Sequence, residues 1–229
     1  MGTYVVTGAT RGIGLAVAEL LHERGHDLVL AGRNAEALAE LEKRLPGSSS
    51  LVVDLRAPEG IEPAVAGLGP LPSLDGLVHS AGAIELGEIA KTPYQVWQDL
   101  LAVNLVAVAE LTRVLLPALR AARGHVVFVN SGSGLRAKPE WGAYAASKHG
   151  LRALADALRE EEHANGIRVT SVYLGRVATE MQRKIHEYEG SEFDPSKYIE
   201  PRTVALAVLA ALETPRDAEV TEVTVRPGV

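Results

Sequence analysis

Short runs rich in β-branched and aliphatic residues alternate along the chain with longer stretches of helical periodicity, and this alternation limits the fold more than any single motif. The runs are TYVVTG, DLVLAG, SLVVDL, LDGLVHSAG, GHVVFVNS, IRVTSVYLG and EVTEVTVRP. Most are continuously apolar, as expected of strands buried on both faces of a parallel sheet. Helical patterns fall between them at about 13–24, 34–45, 58–67, 93–119, 143–165 and 201–213. Strand and helix taking turns predict an α/β fold: one doubly wound Rossmann-type domain, with a mostly parallel sheet of about seven strands flanked by helices. In such a sheet ligands bind beyond the carboxyl ends of the strands. The 229 residues, 47% of them hydrophobic, suit a single domain over 1–229. A polar, irregular stretch at about 180–200 interrupts the pattern and is expected to form a mobile substrate flap.

Composition removes several classes of function. Lys plus Arg number 23 against 29 Asp plus Glu, a net charge of −6 that offers no basic face for nucleic acid or anionic lipid. No stretch approaches eighteen consecutive apolar residues, and no charged and apolar leader precedes the first strand-like run at Thr3, so a soluble, cytoplasmic protein is expected. The chain has no cysteine, which rules out disulfides, thiolate metal sites and cysteine nucleophiles and fits a reducing compartment.

The stretch VVTGATRGIGLAVAELL runs from a β-branched strand through a glycine turn into a helix. Gly8 permits a tight turn, Gly12 lets the backbone approach a ligand, and Gly14 lets the helix pack on the strand. Unpaired N–H groups at the helix start then face an anion, which points to the pyrophosphate of a dinucleotide. Folds that prefer NAD usually carry an acid near the end of the second strand to hold the ribose hydroxyls. Here that position offers Gly32 and Arg33, and the nearest acid, Asp27, stands at the opposite end of the run. Arg11, inside the glycine turn, can approach the same corner. Two guanidiniums without a carboxylate suit a 2′-phosphate, so NADP(H) is expected over NAD(H); the alternative is that both arginines are solvated surface residues.

Within GAYAASKHG, Tyr144 and Lys148 stand four residues apart, about one helical turn, and project from one helix face. The pair by itself is more often a packed ring beside a solvated charge.

Taken in order, the motifs resemble those of the short-chain dehydrogenase/reductase family over essentially the full length. TGATRGIG is similar to the family's cofactor turn, VDL at Val53–Leu55 to the segment whose aspartate, here Asp54, meets the adenine, and SAG at Ser80–Gly82 to its Asn-Ala-Gly. In WQDLLAVNL, Asn104 resembles the family's helix asparagine. VVFVNSGSG ends a strand at Ser131, thirteen residues before Tyr144, as in the family; that spacing and the alignment of Gly134 favour Ser131 over Ser133. YLGRVAT resembles the Pro-Gly segment. Two positions depart from the pattern: Ser80 replaces the asparagine, and Leu174 replaces the proline, which changes the pocket wall.

The resemblance implies hydride transfer between NADP(H) and a carbonyl or alcohol, with Asn104, Ser131, Tyr144 and Lys148 as the catalytic set. It also implies cofactor contacts from Gly8, Thr10, Arg11, Gly12, Ile13, Gly14, Arg33, Asp54, Leu55, Ala81, Gly82, Tyr144, Lys148, Val177 and Thr179. Tyr144 is the expected general acid/base, with its pKa of about 10 lowered by the Lys148 ammonium and the oxidised nicotinamide. Ser131 would hold the reacting oxygen, and Asn104 would anchor a water leading from the lysine to solvent. An NADP preference tilts the reading toward carbonyl reduction. A non-catalytic NADP(H)-binding sensor or scaffold is the alternative, disfavoured by the intact set of four.

Leu135, Trp141, Leu174, Met181, Tyr188, Phe193 and Tyr198 suggest an apolar lining for a small-molecule substrate, although the flap residues among them could equally pack on the protein. Arg176 either pairs with a substrate carboxylate or faces solvent. His79 and His149 read as packing or surface residues, and no metal site is expected. Family members often pair through the helices that hold Asn104 and Tyr144, so a homodimer or homotetramer is expected, with Ala145, Ala153 and Ala157 on the pairing face.

Overall fold

The structure, a computed structural model, describes residues 1–228. Seven strands form one parallel sheet: β1 (Thr3–Thr7), β2 (Asp27–Gly32), β3 (Ser49–Val52), β4 (Gly76–His79), β5 (His125–Ser131), β6 (Arg168–Leu174) and β7 (Glu222–Val225). Their order across the sheet is β3-β2-β1-β4-β5-β6-β7, so the winding reverses between β1 and β4. Crevices open at such a reversal, beyond the carboxyl ends of the strands.

The helices are α1 (Gly12–Glu23), α2 (Ala35–Arg44), α3 (Ile61–Gly67), α4 (Tyr94–Leu101), α5 (Ala107–Ala122), α6 (Gly142–Glu162), α7 (Glu180–Glu189) and α8 (Pro201–Leu212). One core layer packs α1, α2 and α8 on Val6, Leu30, Val127 and Val172, and the other packs α3, α5 and α6 on Val5, Leu77, Phe128 and Val169. Alternate residues of the same strands thus feed opposite layers, which is why these strands are apolar throughout.

Two expectations are corrected in detail. The single helix expected over 93–119 is continuous from Tyr94 to Ala122, but a five-residue π turn, Ala102–Val106, separates α4 from α5. This 29-residue run is long and apolar enough to cross a membrane, yet Leu100, Val103, Leu111, Leu115 and Leu119 are buried within the domain. The stretch at 180–200 is not irregular throughout, since its first half is α7. Thr179 caps that helix by accepting from the Gln182 N–H, and Gly190 ends it at φ 63°. The buried side of α7 consists of Gln182, Ile185 and His186, so it lacks the aliphatic stripe by which amphipathic helices are recognised.

Candidate active site

The carboxyl ends of β1, β4, β5 and β6 gather the residues singled out in the sequence. At β1 the chain turns through Gly8 (φ 67°) and Gly12 (φ 56°) into α1, with Arg11 extended at the helix start. A Cβ on Gly14 would stand 2.3 Å from the Gly8 carbonyl oxygen, so no side chain fits where α1 crosses β1. A Cβ on Gly8 would come within 3.0 Å of the Ala81 Cα, and one on Gly12 within 3.4 Å of Thr179 Cγ2, which bring Ala81 and Thr179 to the rim of the turn. Ile13 packs on the α1 core layer and Leu55 on the opposite one.

The end of β2 lies against the glycine turn. Gly32 lies beside Thr10, whose Cγ2 is 3.8 Å from the position of a Gly32 Cβ, so Arg33 follows directly from contact with the glycine turn. Arg11 and Arg33 are both exposed, and neither has an ion-pair or hydrogen-bond partner among the described residues. Asp27 lies at the far end of β2. Asp54 follows β3 in a turn, where its carboxylate accepts from the Arg56 N–H at 3.0 Å. The backbone cradle fits the pyrophosphate of a dinucleotide.

Tyr144 and Lys148 lie on the first turns of α6 and are buried, with 5% and 4% exposure. The tyrosine ring meets the Trp141 ring edge-on at 5.9 Å, and its phenol is near enough to Ser131, at the end of β5, for that side chain to draw its pKa down. Ser133 turns its backbone N–H, not its hydroxyl, to Ser131 Oγ at 3.1 Å. Lys148 donates from Nζ to the Val129 carbonyl at 3.2 Å, and its Nζ stands 6.0 Å from the centre of the tyrosine ring. Asn104, within the π turn, accepts from the Ala83 N–H at 2.8 Å and donates to the Ala83 carbonyl at 2.9 Å and to Ser147 Oγ at 3.0 Å. Ser147 in turn donates to the Tyr144 carbonyl at 2.7 Å. A Cβ placed on Gly82 would find Asn104 Oδ1 at 3.4 Å, Met181 Cε at 3.7 Å and Lys148 Nζ at 3.8 Å. The Asn104 amide, the lysine and α7 therefore converge on the loop after β4.

Burial, not the neighbouring ammonium, dominates the titration of this pair. It pushes the Tyr144 phenol up to about 12, against a smaller downward pull from Ser131, and pushes Lys148 down to about 8. The lowering of the tyrosine expected from the sequence is absent in the cofactor-free chain, since the phenolate loses its hydration in this enclosure. Lys148 then makes stability depend on pH. Its folded value of about 8 lies below the ordinary 10.5, so between these values the unfolded chain binds the extra proton and stability rises with pH. Tyr144 acts oppositely, removing stability from about pH 10 to 12. Urea denaturation of the cofactor-free protein should show a gain of about 2 kcal/mol from pH 7.5 to 9.5 that Lys148→Met abolishes. Equal pH slopes for both proteins would refute the burial of the ammonium.

Three residues that the sequence reading missed hold the site together. Thr7 Oγ1 accepts from the Ser80 and Ala81 N–H groups at 3.0 Å each, tying the glycine turn to the loop after β4. Asn130 accepts from the Ser131 N–H at 2.8 Å and donates to the Lys148 carbonyl at 3.2 Å, joining β5 to α6. Ser147 is the third. Each is a short, buried polar residue; Thr7 and Asn130 stand at the ends of strands, and Ser147 lies within α6.

Val177 is buried and bridges Ile199 through the flanking residues, so its own N–H faces away from that bridge. Arg176 is neither open to a substrate nor simply solvated: its guanidinium pairs with both carboxylate oxygens of Glu189 at the end of α7. Phe193 and Tyr198 stack on each other and lie tilted against His186, so they pack on the protein itself, and Tyr198 donates to or accepts from His186 Nε2 at 2.7 Å. His79 is enclosed, bonded to Thr112 at 2.9 Å and stacked on Phe128, and burial and then Lys148 push it down to about 3, a neutral packing residue. His149 is exposed and contacts the Ala145 carbonyl. No group of three or more histidines and carboxylates able to hold a metal occurs among the described residues.

Known proteins agree with this architecture. Residues 3–190 match the family model described as short chain dehydrogenase. An uncharacterized oxidoreductase of Staphylococcus aureus is 34% identical over 231 residues, covering 97% of this chain and 96% of that protein. A counterpart in Staphylococcus epidermidis is 32% identical over 226 residues, covering 97% of this chain and 96% of that protein. Among solved structures, a metagenomic short-chain oxidoreductase in complex with NADP superimposes with a TM-score of 0.84 at 31% identity, covering 100% of this chain and 98% of that one. A point variant of actinorhodin polyketide ketoreductase with NADPH gives 0.88 at 28% identity, with 99% and 96% covered. The chain is an oxidoreductase-type α/β protein, and it belongs to the short-chain dehydrogenase family.

Proposed function

We propose that the chain reduces a carbonyl compound with NADPH, using Tyr144 as the proton donor. The observation that carries this reading is the placement of a buried tyrosine phenol beside Ser131 and one helical turn from a buried lysine. NADPH, when bound, supplies the hydride. Arg11 and Arg33 hold its 2′-phosphate, the turn from Gly8 to Gly14 its pyrophosphate, and the loop at Ala81–Gly82 with Lys148 the region near the nicotinamide ribose. Complexes of relatives with NADP and NADPH favour the same cofactor.

Carbonyl reduction consumes one proton at the oxygen. A phenol protonated at neutral pH carries that proton. Ser131 donates a second hydrogen bond to the same oxygen and fixes it against the phenol. Lys148, mostly an ammonium at pH 7, favours the phenolate that donation leaves behind. Asn104 holds Ala83 and Ser147, and through them the loop after β4 and the first turn of α6, in register. The segment around α7 serves as the substrate flap, with Met181 reaching Gly82. NADPH oxidation measured across ketones, aldehydes and quinones tests the reading. If no carbonyl is reduced while NADPH still binds, the chain is a sensor and not an enzyme.

The same reading has the chain form a homodimer or homotetramer through α5 and α6. Val106 is half-exposed and Ala153 and Ala157 face outward, whereas Ala145 is buried and is removed from the expected face. Light scattering at micromolar concentration should give two or four times 24.3 kDa; a single chain mass would refute the pairing.

A further inference from the structure

We infer that Arg226 is a specificity residue that binds the carboxylate of an oxo-acid substrate, an inference resting on the carbonyl reduction proposed above. The sheet register brings this residue to the site. Ser131 of β5 pairs with Leu174 of β6, and Leu174 pairs with Val225 of β7, so all three lie on one rung. Neighbouring strands are about 4.8 Å apart, so the Val225 backbone lies roughly 10 Å to the side of Ser131. The next residue is Arg226, at the carboxyl edge where the phenol and serine meet.

The chain beyond β7 is held there. The Gly175 N–H donates to the Val225 carbonyl at 2.8 Å, and Pro227 Cδ stands 2.7 Å from the position of a Gly175 Cβ, so Pro227 occupies the space that a side chain at 175 would take. The Arg226 side chain crosses back over β6 toward the turn that follows Ser131. Its Nη1 and Nη2 are 3.5 and 3.7 Å from the position of a Gly132 Cβ, so both arms of the guanidinium lie against the residue next to Ser131. Arg226 is exposed, and no ion pair or hydrogen bond engages it among the described residues. Arg176, on the neighbouring segment, is already taken by Glu189. Arg226 is thus a cation near the serine that remains available to a ligand among the described residues.

A guanidinium stays charged at all working pH values, and its planar fork matches the two oxygens of a carboxylate. With the carbonyl oxygen between Ser131 and Tyr144, a carboxylate a few carbons away reaches Arg226. The substrate class is therefore a short oxo acid, such as a 3-oxo or 4-oxo acid. In the reaction the carbonyl carbon gains the hydride of NADPH and its oxygen the proton of Tyr144, giving the hydroxy acid and NADP+, while the carboxylate is unchanged.

The test compares acetoacetate and levulinate with their ethyl esters, using the full-length wild type, Arg226→Gln and Arg226→Lys. Wild type should favour the acids in kcat/KM, and the preference should shrink as salt is raised. Arg226→Gln should raise KM for the acids at least tenfold with kcat little changed, leave the esters within twofold, and be partly rescued in Arg226→Lys. Parallel changes for acid and ester, or none, would overturn the anchor; a parallel loss with a changed mass in light scattering would make Arg226 a subunit contact instead. Turnover of the esters alone by wild type would overturn the anchor and leave the carbonyl reduction standing. If wild type reduces neither, the proposed reaction fails, and the anchor is read from the thermal shift that levulinate produces in the presence of NADP+. That shift should appear in wild type and vanish in Arg226→Gln, and its absence from wild type would overturn the inference.

Discussion

Tyr144→Phe is expected to lower kcat for carbonyl reduction by roughly 10² to 10⁴, the range for loss of a positioned acid, while NADPH binds within about twofold of wild type. Phenylalanine keeps the buried ring and its edge contact with Trp141, so the fold and the cofactor cleft stay intact. What disappears is the hydroxyl that meets Ser131, and Ser131 alone cannot supply the proton. The pH profile separates this role from a structural one. Wild-type reduction should hold through neutral pH and fall on the alkaline side as the phenol loses its proton, whereas oxidation of the product alcohol should rise there. Both limbs should be missing in Tyr144→Phe. Ultraviolet titration of the cofactor-free protein should find one tyrosine, absent from the variant, ionising near 12. Unchanged turnover in the variant, or a loss of NADPH affinity as large as the loss of rate, would reject Tyr144 as the donor.

The parts of this site that follow from local rules were legible in the sequence. Apolar runs broken by helical periods fix the parallel sheet, because a strand covered on both faces has no polar side to display. The four-residue step from Tyr144 to Lys148 fixes their common face, because it is set by the helix alone. What escaped depends on contacts between distant segments. The π turn that carries Asn104 leaves the apolar pattern of 94–122 unbroken, so only the grip of its amide on Ala83 and Ser147 reveals it. Arg176 meets Glu189 only because α7 forms and brings residue 189 back over the chain. That helix did leave one mark, a Thr179-x-x-Gln182 step followed by Gly190, which is a capping pattern at both ends of an otherwise polar stretch. The upward shift of Tyr144 in the cofactor-free chain was not legible for a related reason. Spacing gives the nearness of the lysine, but the balance between its charge and lost hydration depends on how completely the fold encloses both.

Replacing Arg11 and Arg33 together by alanine is expected to weaken NADPH by roughly 10² to 10⁴ while leaving NADH within a few-fold of its wild-type affinity. Each guanidinium lacks a protein partner among the described residues, so neither removal strips an existing ion pair from the fold, and the change falls on the ligand. A hydrogen bond to a charged group contributes about 1.5 to 3 kcal/mol, so each single variant should lose roughly tenfold to a hundredfold. Arg33, directly after Gly32 and beside Thr10, should carry the larger share if the phosphate sits at the end of β2. Fluorescence titration of both nucleotides at two salt concentrations distinguishes a phosphate contact from a general field. A contact predicts a steeper salt dependence for NADPH than for NADH in wild type, a difference that shrinks in the double variant. Equal losses for the two nucleotides would instead mean that the arginines shape the glycine turn, and the 2′-phosphate would have to be held elsewhere.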